Sequence, residues 1–542
     1  MPDLTLPATF VSLLLPMRAV FTEPSFQNFR VLVSGWVHAL GRHRISDVIR
    51  AAGSLADKHF TTYYRFLSHG RWSLDELGMT VLDHVLAALP PGQSVTLVLD
   101  DTLSRRSGKK VALASMNADP VLRQGRRPFF SYGHVFVVLA VHVRVPLLAR
   151  TGWALPFLFR LFESPSRGGT KDSAAYERRE RGRRRARKPT RRRERMTDRE
   201  LRDGALVPCE PKPDLDEIPR EARPTKLQLA AEMVLHVARR HPQLRLLVVA
   251  DHLYAGRALL HTVHSEVENV SFVVRGQPNA ALFELPPARR PGQRGRPRVK
   301  GERLPSPEAW AREHREAFED VTVEMYGHDV PLRVASMEGM PYRSLPGRIV
   351  RYVIVEDPSG IYRTDYLLST DESLTPSEVV ELYARRWTLE RTFQDAKQKL
   401  RVEDPQVQRP ASVRRAVPMG MLVYSLVVFW YLRHGHEEAA RMQVRPDPWY
   451  PDKPRPSFSD MLAALRRLGW AAHFVDPPSG QTARQKRAAR YLMQVVAAAR
   501  SRACQGDRQG YSASPVEPQR AGRRRDASRV AVATRAARGL RP

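Results

Sequence analysis

The sequence has little cysteine: Cys209 and Cys504 are the only two in 542 residues, and they lie far apart. Two isolated cysteines argue against a disulfide framework and against a thiolate metal site. We therefore expect a chain that works in a reducing compartment, the cytoplasm.

Features of membrane and secreted proteins are also scarce. No basic residues precede the short apolar stretch of the N-terminus, MPDLTLPATFVSLLLPMRAVF, so we do not interpret it as a signal peptide. The longest apolar run, 416–432, contains Pro418 and Gly420 and reaches only the lower limit of a bilayer span. With no second such run, we predict a buried core helix and no membrane partner.

Acidic residues are few relative to basic ones. The chain has 57 Asp plus Glu against 88 Lys plus Arg, which leaves a formal charge of +31 and a pI near 10.8. Part of the excess lies in the runs 178–195 and 520–541, which could be merely solvated and disordered. Basic residues also recur within apolar-patterned segments, as at Arg385 and Arg386. We therefore expect the folded body to bind a polyanion, and nucleic acid is the natural one.

The length and 42% apolar content indicate several globular units with ample buried core. The predicted order is a helical N-terminal DNA-binding domain at 1–92; an α/β catalytic core at 93–276 and 349–435, with a mobile basic insertion at about 164–222; an insertion subdomain at 277–348; a helical region at 436–503; and a disordered basic tail at 504–542. Two short helical stretches within 44–70 suit a helix-turn-helix-like module, although a small helical bundle fits them equally.

Apolar and β-branched runs predict the strands of the core. They are SVTLVLD, KKVALAS, HVFVVLAVHV, LRLLVVA, NVSFVVR, RYVIVED and DYLLSTD, with helices near 226–239 and 254–264 between them. Residues 277–348 appear irregular and Pro-rich. A strong helix is predicted at 376–400, because Thr375 and Glu378 form a capping box around Pro376. Further helices are predicted at 410–432, 458–468 and 486–498.

Two of these strands end in acidic residues. SVTLVLD places Asp100 at its end, followed by Asp101 and Thr102, and LRLLVVA is followed by Asp251. A single Asp at such a position commonly begins a turn or caps a helix. Two of them on one open sheet lie where such sheets present ligands and metals.

The predicted helix ELYARRWTLERTFQDAKQKL carries the most informative spacing. Tyr383, Arg386, Glu390 and Lys397 are three, four and seven residues apart, so a continuous helix would place them on one face. An amphipathic helix with an Arg386–Glu390 pair would be the simpler interpretation, but it leaves the phenol and the lysine unexplained. One acid among cations and a phenol is suited to cutting a phosphodiester, with the acid holding metal and the others gripping phosphates.

This spacing, Y-x2-R-x3-E-x6-K, resembles the signature of a large group of bacterial insertion-sequence transposases with a DDE triad. Phe393 after RRW-x2-E strengthens the likeness, as do a D-x-T sequence at Asp100 and an ADxxY sequence at Asp251 and Tyr254. The resemblance covers about residues 94–405.

The resemblance implies an RNase H-like core, a mixed sheet with flanking helices, interrupted by a β-rich insertion. Asp100, Asp251 and Glu390 would bind two Mg²⁺ ions, for which Mn²⁺ could substitute, and Asp101 is the alternative first acid. Tyr383, Arg386 and Lys397 would contact phosphates at the ends of the element. A homodimer on paired terminal inverted repeats, acting also on target DNA, is implied in the same way.

A further candidate for DNA contact is RGRPR at 294–298. Arginines alternating with Gly and Pro resemble an AT-hook, so Arg294 and Arg296 could enter a narrow minor groove, although a basic surface loop is the simpler interpretation. The predicted function is DNA transposition by metal-dependent cleavage and strand transfer. An RNase H-like nuclease without joining activity and an inactive, transposase-derived DNA-binding protein remain as alternatives.

Overall fold

The computed structural model describes residues 6–163, 223–441 and 456–474, apart from short gaps. These gaps are 91, 109–110, 120, 123–128, 146–147, 149, 290–293 and 361–362. The predicted basic insertion, the helix predicted at 486–498 and the basic tail lie outside the described residues.

The described residues 6–90 contain five α-helices: α1 Ala8–Leu14, α2 Glu23–His38, α3 Ile45–Ala51, α4 Phe60–His69 and α5 Leu74–Leu86. Helix α5 begins where the Ser73 side chain accepts a hydrogen bond from the backbone of Glu76, which satisfies a free N–H group of the first turn. The predicted helical character of this region is confirmed. The use of α3 and α4 to bind DNA stays a prediction.

Ten strands form one sheet. They are β1 Val95–Arg105, β2 Ser115–Ala118, β3 Phe130–Val143, β4 Trp153–Phe162, β5 Leu246–Ala250, β6 Val270–Arg275, β7 Glu319–Met325, β8 His328–Gly339, β9 Val350–Glu356 and β10 Asp365–Ser369. Their order is β2-β3-β1-β5-β6-β10-β9-β8-β7, with β4 also paired to β3. Strands β1, β5 and β6 are parallel, and every other pairing is antiparallel. The predicted α/β class with a mixed sheet is thus confirmed.

The other α-helices of the described ranges all begin after β4 in the chain. They are α6 Lys226–Arg240, α7 Arg257–Glu266, α8 Pro307–Glu313, α9 Pro376–Ala384, α10 Trp387–Lys399, α11 Pro410–Trp430, α12 His436–Arg441 and α13 Phe458–Phe474. The predicted capping box of Thr375 and Glu378 is present at α9. The continuous helix predicted at 376–400 is wrong, because the chain turns at Arg385 and Arg386 before α10 begins.

Three strand predictions differ from the structure. In KKVALAS, the described residues 111–114 are not a strand: Leu113 lies in a turn at φ 61°, and β2 begins only at Ser115. Strand β4 was missed, because WALPFLFRLF has no β-branched residue and contains Pro156, a residue that is rare inside sheets. The stretch 277–348 is not irregular throughout, since β7 and β8 form a hairpin. Its two turn residues, Tyr326 and Gly327, both have the positive φ that a tight hairpin turn requires.

The sheet separates two hydrophobic clusters, and β5 shows how. Leu246, Val248 and Ala250 belong to the larger cluster, shared with the N-terminal helices, while Leu247 and Val249 face the smaller one beneath α9. Successive side chains of a strand point to opposite faces, so a strand buried on both sides is apolar throughout. The N-terminal helices and the sheet therefore share one core.

Helix α11 is the predicted core helix. By length and composition the stretch Pro410–Ala440 could cross a membrane, but 89% of its most apolar window is buried inside the protein. Gly420 is required where α11 crosses α2, since a Cβ there would lie 2.6 Å from Val402 and 3.0 Å from Trp36. The Trp36 indole in turn donates to the Leu400 carbonyl at 3.0 Å. These contacts join α2, α11 and the end of α10.

Candidate active site

Asp100 and Asp251 lie side by side at one edge of the parallel strands. The last paired residues of β1 and β5 are Leu99 and Ala250, so each acid occupies the next position on its own strand. Adjacent strands are about 4.8 Å apart, and residues in register point to the same face. The backbones of the two acids are therefore neighbours in space, although 150 residues lie between the paired residues Leu99 and Ala250 in the sequence.

Glu390 lies in α10, just after an interruption of the helical segment. At the break, the amides of Arg385 and Arg386 bond to carbonyls only three residues back, and those of Thr388 and Leu389 do the same. This hydrogen-bonding pattern is the tighter winding of a 3-10 turn between α9 and α10. Glu390 then lies in the first turn of α10, with its carboxylate directed at the end of β1.

One atom joins two of the acids. Nη1 of Arg386 lies 2.9 Å from Oδ2 of Asp100 and 2.6 Å from Oε1 of Glu390. The Asp100 and Arg386 side chains are each 17% exposed, so this is a largely buried ion-pair group. Burial opposes the guanidinium charge, but Glu390 and Asp100 raise the pKa of Arg386 well above its ordinary value. Arg386 is thus firmly cationic here.

The carboxyl group of Asp100 is the most perturbed acid of the site. Burial raises its pKa from 3.8 to about 7; Arg386 opposes that shift, and the charge of Asp101 adds to it. Desolvation and a like charge both disfavour the ionised form of a carboxyl group. A further positive charge, in addition to the Arg386 guanidinium, would therefore stabilise the ionised form of Asp100.

Asp251 also feels the positive charge of Arg386, but its direct contacts are with other residues. Its Oδ1 accepts the Tyr383 hydroxyl at 3.4 Å, and His252 Nδ1 lies 3.4 Å from its Oδ2. Burial works to raise the pKa of Asp251, but the His252 backbone N–H and the charge of Arg386 lower it overall. Burial raises the pKa of the Tyr383 phenol, which therefore remains a hydrogen-bond donor.

Asp101, the alternative first acid, faces the opposite side of β1. There its Oδ2 lies 2.6 Å from Nζ of Lys226, the first residue of α6, and its Oδ1 accepts the Tyr254 hydroxyl at 3.2 Å. Alternation along the strand sends neighbouring side chains to opposite faces. Lys226 was not recognised from the sequence, since nothing there relates a lysine after the Thr225 cap to Asp101.

Lys397 does not join the acids, contrary to the single polar stripe predicted for a continuous helix. Its Nζ donates to the Leu103 carbonyl of β1 at 2.7 Å and lies 3.8 Å from Glu403. Burial lowers the pKa of this ammonium. Lys397 therefore fixes α10 to β1, three residues further along the strand than Asp100. Glu403, which also accepts the backbone N–H of Arg105 at 3.0 Å, was not recognised from the sequence.

Arg294 and Arg296 lie in an exposed loop. The loop is closed by the pairing of Phe283 with Arg303, and Gly295 within it has a φ of 98°. Both arginine side chains face solvent. The structure thus leaves them accessible but does not place them among the contacts of the three acids.

The expected convergence of three acids on shared ions is not preformed. Within the described part of the chain, no group of three or more His, Cys, Asp and Glu side chains is arranged to hold a metal. The physical reason is visible: the Arg386 guanidinium stands between Asp100 and Glu390, and Asp251 is turned toward Tyr383. The donor set nevertheless fits a hard divalent ion, since all three are carboxylates and two already contact one cationic atom.

A separate cavity of about 550 Å³ lies on the other side of α10. Arg385, Trp387, Thr388 and Arg391 line it, together with His142 from β3. The three acids are not among its lining residues. The size of this cavity therefore has no bearing on the acid site.

Comparison with known families now gives the class. Residues 16–329, more than half of the chain, match the family described as DDE superfamily endonuclease, and the chain belongs to that family. The matched range includes Asp100 and Asp251 but ends before Glu390, whose assignment depends on the geometry above. Membership confirms the coarser prediction, an enzyme of the DDE class.

Individual relatives add little. No curated protein matches the chain. Among solved structures it is similar to the piggyBac transposase in a synaptic complex with hairpin DNA, at 10% identity, over 90% of this chain and 80% of that one, with a TM-score of 0.32. A likeness at that score carries no argument about this chain.

Proposed function

We propose that the protein is a DNA transposase that cleaves and joins DNA at the ends of a bacterial insertion sequence, using an RNase H-like core. The observation that carries this proposal is the meeting of Asp100 and Glu390, far apart in sequence, at one nitrogen of Arg386, with Asp251 on the adjacent strand. Membership of the DDE superfamily endonuclease family supports it.

Asp100, Asp251 and Glu390 are the residues that would hold two Mg²⁺ ions, or Mn²⁺ in their place. Ions bound there would activate water or a DNA 3′-hydroxyl and stabilise the leaving oxygen. Asp100 is the better first acid than Asp101, because it shares Arg386 with Glu390 whereas Asp101 is already neutralised by Lys226. The acids supply oxygen ligands, and the protein itself forms no covalent intermediate.

Cations around the acids provide the DNA contacts. Arg386 can grip a phosphate with its planar guanidinium, Tyr383 can orient Asp251 or donate to a phosphate oxygen, and Lys397 positions α10 beside the DNA. Exposed Arg294 and Arg296 add a secondary contact to double-stranded DNA. The formal charge of +31 predicts binding that weakens steeply with salt. We propose that a homodimer acts on paired terminal inverted repeats and target DNA, at the bacterial nucleoid.

The experiment uses the full chain and duplexes taken from the flanks of its gene. With Mg²⁺ we expect cleavage at the element end and joining of the freed 3′ end to a plasmid. Asp251→Asn and Glu390→Gln should lose both reactions while retaining DNA binding. Arg391→Ala is the matched control, because Arg391 lies on α10 but lines the cavity on its other side.

The outcomes separate the alternatives. Cleavage without joining would identify a nuclease of the same family. DNA binding without cleavage in the unaltered chain would identify an inactive, transposase-derived binding protein. Cleavage that persists in Glu390→Gln would remove the proposed site altogether.

A further inference from the structure

Arg386 stands at the position that a cation shared by Asp100 and Glu390 would take. We propose that its guanidinium and a divalent ion bind this carboxylate pair in mutually exclusive states, and that DNA, by drawing Arg386 to a phosphate, opens the pair to metal. This rests on the proposed function, in which these acids hold metal. It adds that DNA and metal binding are coupled through a single side chain.

Space supports the exclusion. Oδ2 of Asp100 lies 2.9 Å from Nη1 and Oε1 of Glu390 lies 2.6 Å from it. The distance between the two oxygens is therefore at most the sum of these two distances. Mg²⁺ binds oxygen at about 2.0 to 2.1 Å. An ion bound to both oxygens would therefore lie close to Nη1 and compete with the guanidinium for the same two carboxylate oxygens, so the guanidinium has to leave first.

Charge supports it as well. The Asp100 and Arg386 side chains are both 17% exposed, so water screens little of the repulsion between a guanidinium and an entering divalent ion. Asp251 and Tyr383 also surround the guanidinium electrostatically. The carboxylate pair of Asp100 and Glu390 therefore binds either the Arg386 guanidinium or the divalent ion, and not both together.

The release of Arg386 needs no change of fold. Its backbone is held at the break between α9 and α10, where its amide bonds to the Tyr383 carbonyl at 3.0 Å. Only the long side chain has to rotate away from the acids. Phosphate is a fitting partner outside, because a guanidinium binds its oxygens with two parallel hydrogen bonds.

Coupling of this kind is reciprocal. If DNA removes Arg386 from the acids, metal binds more tightly to the DNA complex, and metal by the same factor strengthens DNA binding. The coupling should depend on Arg386 itself. Removing the side chain should open the acid pair without DNA, and metal binding should then no longer respond to DNA.

The test measures Mn²⁺ binding to the full, DNA-free chain by electron paramagnetic resonance of free Mn²⁺. Arg386→Ala should bind Mn²⁺ at least about tenfold more tightly than the unaltered chain, a size typical of coupling between two ligands. Arg391→Ala should match the unaltered chain, and adding Glu390→Gln to Arg386→Ala should abolish the gain. Arg386→Met, which retains much of the side-chain volume, repeats the test should the alanine variant fold poorly.

A second arm measures DNA affinity by fluorescence anisotropy in EDTA and in Ca²⁺, which also binds carboxylate oxygens. Ca²⁺ should tighten DNA binding in the unaltered chain and have little effect in Arg386→Met. Unchanged Mn²⁺ affinity in both Arg386 variants, with binding that still requires Glu390, would overturn the coupling and leave the proposed function intact. Mn²⁺ binding that ignores Glu390 in every variant would overturn both.

Discussion

Two neighbouring acids on β1 are held in opposite ways. Asp100 faces the break between α9 and α10 and shares one guanidinium with Glu390, so the acids there outnumber the cation. Asp101 faces α6 and has an ammonium and a phenol to itself. The partners, rather than the residue type, distinguish a carboxylate available for chemistry from one committed to the fold.

The largest effect should come from breaking the Asp100 side. Asp100→Asn should reduce DNA cleavage by at least about 10³-fold, as removal of an essential catalytic group does, while Asp101→Asn should cost less than about tenfold. Rates on a flank duplex under single-turnover conditions measure both. Equal losses in the two variants would show that the difference between the faces has no functional meaning.

The Asp101 side should matter more for stability. Lys226→Met leaves a mostly buried carboxylate with Tyr254 alone, so the free energy of unfolding should fall by about 1–3 kcal/mol. Urea denaturation followed by circular dichroism measures it. The control is Arg18→Met, whose pair with Glu23 is 63% and 49% exposed, so its loss should change the free energy of unfolding far less. A Lys226 variant no weaker than this control would contradict the assignment.

The raised pKa of Asp100 should appear in the pH dependence of the free energy of unfolding. Because the folded-state pKa of Asp100 is raised from 3.8 to about 7, the folded chain retains a proton that the unfolded chain has lost. Its contribution to the free energy of unfolding therefore falls as the pH rises from about 4 to about 7, then levels off. Asp100→Asn should lack this fall and be the more stable form at about pH 7.5. Parallel stability curves for the two proteins would refute the raised pKa.

The smallest effect should come from Tyr254→Phe. The substitution removes only the hydroxyl that donates to Asp101 at 3.2 Å, so we expect a loss of about 0.5–1.5 kcal/mol and near-normal cleavage. Combining it with Lys226→Met should cost more than the sum of the single changes, since Asp101 then loses both partners. Additive losses would show that the two contacts are independent.

Much of this arrangement follows from local sequence. Asp100 and Asp251 could be placed because strands rich in Val and Leu precede them, and α9 because Thr375 and Glu378 mark its start. The break at Arg385 could not be predicted, because both residues there keep helical backbone angles and no Gly or Pro interrupts the run. Lys226 and Glu403 were missed for a different reason: their partners lie 125 and 298 residues away in sequence.

Helix α11 contributes many buried residues to the larger core cluster, and it comes late in the chain. Its buried residues pack against α2, α4, α5 and β4, which all precede residue 410 in the sequence and are therefore synthesised earlier. A chain that ends before residue 410 would lack the helix that packs on both the N-terminal helices and β4, so part of their shared apolar core would be exposed. Shortened copies of this gene should therefore yield insoluble protein, and not a soluble fragment that competes with the intact one for DNA.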